Sequence, residues 1–247
     1  MIAYHGTPIT PAECLIALEG HHFFVSFWRP DQVGLVAENG CTFAIDNGAF
    51  SAYQHGETVD WDRYKDFLAK WWRPNMNFYV IPDVIGGTWQ ENVALVESWG
   101  DTKRAAPVWH MAEPLEMLEE FTDSFETVCI GGHIGIYGDV GNTLWWQRID
   151  EAMSVACDDE GVPKCKLHGL RLLDPNLRSI PLHSADSSNL ARHLNQPGMS
   201  KRTAAILLAE RADRPAAQKW MGIPRQQNIF EYQQRYNPSP EANAWRL

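Results

Sequence analysis

The sequence predicts a single α/β domain of the TIM type, a (β/α)8 barrel, followed by a helical and polar C-terminal extension. Three observations carry that reading. Eight short apolar runs recur along the chain, amphipathic stretches separate them, and 247 residues suit one such barrel. An open, doubly wound parallel sheet is the alternative that the same alternation allows.

The strand candidates in order are IAYHG (2–6), FFVSF (23–27), TFAID (42–46), FYVIPD (78–83), APVWH (106–110), TVCIGG (127–132), KCKLHGL (164–170) and SIPLHSAD (179–186). Between them, 61–72, 88–99, 114–121 and 142–156 carry apolar residues at three- and four-residue spacing, the period of a helix with one buried face. Asp60 before Trp61, Thr88 three residues before Glu91, and Pro114 in a first turn mark helix starts. Residues 1–192 are assigned to the barrel. Residues 193–247 form the extension, with a charged amphipathic helix over 200–212 and a Pro- and Gln-containing tail, packed on the barrel or contacting nucleic acid.

No apolar run approaches the ~20 residues needed to span a bilayer, and the first residues lack a signal-peptide pattern, so a cytoplasmic protein is expected. Cys14, Cys41, Cys129, Cys157 and Cys165 are odd in number and lack CxxC spacing, which suggests reduced thiols and neither a disulfide framework nor a cysteine zinc site. The net charge of −10 is uneven: residues 1–186 hold 12 Lys/Arg against 27 Asp/Glu, and residues 187–247 hold 9 against 4. An acidic body argues against indiscriminate polyanion binding, whereas Arg192, Lys201, Arg202, Arg211 and Arg214 in the basic end could meet phosphates.

Barrels of this kind place their chemistry at the C-terminal strand ends. Here those ends carry His5-Gly6, Asp46, Asp83, His110, Gly131-Gly132, His168-Gly169 and Asp186. Three carboxylates and three imidazoles on one rim make a candidate catalytic site. Gly48, Gly86-Gly87 and Gly131-Gly132 lie where missing side chains would let backbone amides approach a ligand. No GxGxxG or GxxxxGK[ST] is present, so no dinucleotide or nucleotide cofactor is expected. His110, His168 and Asp186 resemble some metal-dependent barrel hydrolases, but a lone His5 replaces the His-x-His pair of the first strand, and no metal is expected.

Over residues 40–192 the order of these ends resembles the tRNA-guanine transglycosylase superfamily, and within it the compact phage-type members that act on DNA. IDNGAFSAY is similar to that family's DSGGF or DSGAFSA strand end; IPDVIGG, PVWH, CIGG, LHGLRL and PLHSADSS follow in matching order. Asn47 stands where serine is usual, Ala49 replaces the second glycine of the tRNA enzymes, and their cysteine-rich zinc subdomain is absent.

The resemblance implies exchange of guanine in DNA for a 7-deazaguanine such as the 7-cyano form, with tRNA as the alternative polymer. It implies Asp186 as nucleophile, Asp46 as general acid/base, and Asp83, Asn47, Gly48, Phe50, His110, Gly131, Gly132, His168 and Gly169 around the base. The partners implied are a free 7-deazaguanine base and DNA that is single-stranded or has a flipped nucleotide, with a homodimer or partner protein as a further expectation. A metal-dependent barrel hydrolase and a non-catalytic nucleobase or nucleic-acid-binding protein are the other readings.

Overall fold

The apolar runs become strands that all pair in parallel: β1 (Ile2–Gly6), β2 (His22–Ser26), β3 (Phe43–Asp46), β4 (Met76–Val80), β5 (Ala105–Ala106), β6 (Val108–His110), β7 (Thr127–Gly131), β8 (Lys166–Gly169) and β9 (Ser184–Ser187). This computed structural model describes residues 1–100, 102–132, 137, 139–213 and 215–224. The strand order is β5-β4-β3-β2-β1-β9-β8-β7-β6. Its two edges, β5 and β6, are consecutive in the chain and separated by Pro107, which has no N–H to give a ladder. Pro107 O still accepts from Cys129 N at 2.9 Å. The sheet therefore comes round on itself, and β5 and β6 together fill one of eight barrel positions.

Alternation along each strand sorts side chains between two cores. Tyr4, Phe24, Ala44, Phe78, Val80, Ala106, Val108 and Cys129 fill the barrel interior. Their neighbours, such as Phe23, Val25, Phe43 and Ile45 on one side and Val128, Ile130, Leu167 and Ala185 on the other, pack outward against helices.

Those helices are α1 (Ala12–Ile16), α2 (Val33–Asn39), α3 (Ala49–His55), α4 (Trp61–Trp71), α5 (Trp89–Trp99), α6 (Leu115–Ser124), α7 (Thr143–Ala156), α8 (Asn189–Arg192) and α9 (Lys201–Ala212). The starts obey the capping chemistry: Asp60 accepts from Asp62 and Arg63 N–H, and Thr88 and Glu91 form a capping box. Pro114 occupies the N-cap of α6 and not its first turn. None of the helices among the described residues is long and apolar enough to cross a membrane.

One strand expectation needs adjustment. The last strand pairs only over Ser184–Ser187, because Pro181 interrupts the backbone donors of the longer run and Ile180 and Leu182 serve the outer core instead. The 200–212 helix buries Ala205, Leu208 and Ala209 in the same core as β2 and β3, so α9 belongs to the helical layer of the barrel.

Candidate active site

The turn after β3 is built by its own polar side chains. Phe43 and Ile45 point outward, which sends Ala44 and Asp46 inward. Asp46 Oδ2 accepts from Ser26 Oγ at 2.9 Å and from Gly48 N at 3.2 Å. Asn47 Oδ1 accepts from Ala49 N, while its Nδ2 donates to Ile81 O at 2.8 Å and to Asp83 Oδ1 at 2.7 Å. Gly48 takes a φ of 81°, the left-handed conformation that starts α3 and brings Phe50 back to the rim. Burial pushes the Asp46 carboxyl up to about 6; the charges of Asp186 and Asp83 add to this, while Ser26 and Arg171 oppose it.

Asp83 and His110 form a pair across two strand ends. His110 Nε2 lies 2.8 Å from Asp83 Oδ2, and its Nδ1 is 3.3 Å from Gly132 O. Burial works to lower the His110 pKa, but the hydrogen bond and charge of Asp83, with Glu113, outweigh it and raise the imidazole above its usual range. Gly131 is the floor for that ring: a Cβ there would lie 2.8 Å from His110 Nδ1.

Behind the pair sits buried Glu113, which accepts from His110 N and from Asn92 Nδ2, each at 2.7 Å. Asn92 Oδ1 in turn accepts from Val84 N at 2.7 Å, so one network fixes the residues following both strands. In Glu113→Gln an amide NH2 must face one of two donors. The expected loss is about 1–2 kcal/mol, the cost of an unsatisfied buried donor, read by urea denaturation. A loss below experimental error would show that this network is not structural.

Asp186, on β9, points inward above His168. Its Oδ1 accepts from Arg171 N at 2.8 Å and lies 3.4 Å from His168 Nε2, a contact too poorly aligned to be a hydrogen bond. His168 is fully buried among Tyr4, Phe24 and Phe78, with Nδ1 2.8 Å from Ser184 Oγ. Arg171 holds a φ of 58°, unusual for a residue with a side chain, and its guanidinium lies 4.2 Å from the centre of the Phe50 ring.

The mouth thus gathers Asp46, Asn47, Gly48, Phe50, Asp83, His110 and Asp186. Other expected members stand elsewhere or act differently. His168 lies beneath Asp186 and offers no exposed surface. The space beside Gly169 is taken by Leu172 and Leu182, so its missing side chain serves packing. His5 faces the outer layer, against His21 and Phe23. A Cβ on Gly132 would meet nothing within 4 Å.

The basic residues are dispersed. Lys201 and Arg202 open α9, Arg211 closes it at a distance of roughly 14 Å along the axis, Arg192 ends α8, and Arg214 lies outside the described residues. Among the described residues, the rim imidazoles and carboxylates supply no three-donor group for a metal. The sequence reading missed Ser26, Asn92, Glu113 and Arg171. Only Arg171, a cation two residues beyond a strand-end glycine, left any signal.

Fold and site define a (β/α)8 barrel with a carboxylate-rich mouth at the C-terminal strand ends. Among solved structures, the tryptophan synthase α-subunit of the hyperthermophile Pyrococcus furiosus is 12% identical, with a TM-score of 0.50 over 86% of this chain and 95% of that one. A point mutant of that subunit is 13% identical with a TM-score of 0.51, covering 85% and 94%. The α-subunit in a study of the α2β2 complex from the same organism is 10% identical with a TM-score of 0.50, covering 86% and 95%. At these identities the likeness is one of fold. No protein-family model and no curated protein matches the chain.

These neighbours correct the resemblance drawn from the strand ends. They are tryptophan synthase α-subunits and not transglycosylases, so assignment to the tRNA-guanine transglycosylase superfamily, and with it guanine exchange in DNA, is overturned. The physical reason lies in the motifs. Short Asp-, His- and Gly-bearing segments in sequence order are what a barrel with polar groups at successive strand ends produces, whatever its reaction.

Proposed function

We propose that this chain is an acid–base enzyme acting on a small, flat, polar molecule that carries N–H or O–H donors. The observation that supports this most is the Asp46 carboxyl, pushed up to about 6 and set among Asp186 and Asp83, so that it exchanges a proton close to neutral pH far more readily than an ordinary aspartate. Two carboxyl groups in unlike surroundings divide the work. Asp46 gives and takes the proton. Asp186, held by Arg171 N–H, supplies fixed negative charge against positive charge that develops on the substrate.

The Asp83–His110 pair forms the polar edge that reads the substrate. Asn47 and His110 each occupy one Asp83 oxygen, which fixes the carboxylate plane and leaves remaining lone pairs to accept from substrate donors. Phe50, with Arg171 over its ring, gives a flat wall for stacking.

A thermal-shift panel of small cyclic amides and amino-heterocycles tests the reading, with each hit followed for turnover by mass spectrometry. The expected hits carry adjacent donors, lose their shift in Asp83→Ala and Phe50→Ala, and are turned over about 10²–10⁴-fold more slowly by Asp46→Asn. Hits that survive Asp83→Ala unchanged would place binding elsewhere.

A further inference from the structure

On the outside of the barrel, beside the start of β2, a second group of polar side chains has no part in the mouth. His5 is 2% exposed, and its ring lies outside the barrel interior, 5.7 Å from that of His21 between centroids. Its Nε2 is buried without a hydrogen-bond partner. Such an orphan costs free energy that a ligand would recover. His21 Nδ1 lies 2.9 Å from Asp213 Oδ2, at the end of α9. One donor atom from each of the three residues falls within 4.8 Å of the others, and His21 and Asp213 border a cleft of about 480 Å³ whose wall also includes Met1, Ile2, Glu19, His22 and Pro215.

We propose that His5, His21 and Asp213 bind one divalent transition-metal ion of the zinc class. Two imidazoles and a carboxylate suit such an ion, whereas calcium and magnesium favour all-oxygen shells. Bonds of about 2.0–2.2 Å in tetrahedral array separate ligand atoms by roughly 3.3–3.5 Å, so a shift of about an ångström closes the set. The fourth position opens to the cleft and takes water. The ion joins the start of β2 and the body of β1 to the end of α9. This proposal does not depend on the reaction at the mouth.

The test uses the untagged full chain, stripped with chelator and titrated with Zn2+ against a chromophoric competitor, with the melting temperature followed in parallel. One ion per chain and a rise in Tm are expected. Asp213→Asn, at a half-exposed position that folding tolerates, should weaken binding about 100-fold, and His5→Gln at least as much, while His22→Gln leaves it unchanged. Co2+ should give the strong visible absorption of a four-coordinate ion without a thiolate charge-transfer band. No uptake by the wild type, equal uptake by Asp213→Asn, or a thiolate band would each overturn the proposal, the last by placing the ion on a cysteine.

Discussion

Replacing Asp46 with Asn is expected to stabilise the protein at neutral pH while removing its chemistry. The folded carboxyl titrates at about 6 against an ordinary 3.8, so between those values the folded chain holds a proton that the unfolded chain has released. Stability therefore falls as pH rises through that window. The full penalty is present above the folded value and absent below the unfolded one. Asparagine stays neutral and keeps an oxygen for Ser26 Oγ and Gly48 N, the two donors that Asp46 satisfies. The gain should be about 1–3 kcal/mol near pH 7, or roughly 3–8 °C in Tm for a chain of this size, and it should vanish at about pH 3.5. Melting curves of both proteins across pH measure it; parallel curves would show that the Asp46 carboxyl is not raised. A site group that destabilises the fold is what a trade-off between stability and activity predicts.

Gly48→Ala should lose about 2–5 kcal/mol. Its φ of 81° puts any side chain in the left-handed region, and the added Cβ would stand 2.9 Å from Trp28 N and 3.1 Å from Trp28 Cβ. The first effect costs about 1–2 kcal/mol and the overpacking about 1–3. Because Gly48 N donates to Asp46 Oδ2, relaxing the turn also loosens the acid. Urea denaturation with an unchanged m-value gives the loss; a change under about 0.5 kcal/mol would mean the turn accommodates a side chain freely.

The barrel was legible because parallel strands buried on both faces leave continuous apolar runs, and those runs place Asp46, Asp83, His110 and Asp186 at strand ends without any structure. The short helices α1, α2, α3 and α8 were not legible. At four to seven residues they are too brief to show a period, and tertiary contact holds them. His5 and His168 were both read as rim groups, yet strand alternation sends one outward and the other below Asp186, a parity that a run of apolar residues does not display. Glu113 and Asn92 lie in a loop and a helix, and they meet His110 only through the folded chain. The order of rim residues said which groups share a mouth and nothing about which reaction they perform.

The proposed chemistry requires one carboxyl of the mouth, Asp46, to exchange its proton at about pH 6. A 13C NMR titration of the aspartate side-chain carboxyls, in the wild type and in Asp46→Asn, tests it directly. One resonance with a midpoint of about 6, missing from the variant, is expected. An Asp46 resonance that titrates with the exposed aspartates near their ordinary value would rule out Asp46 as the proton carrier.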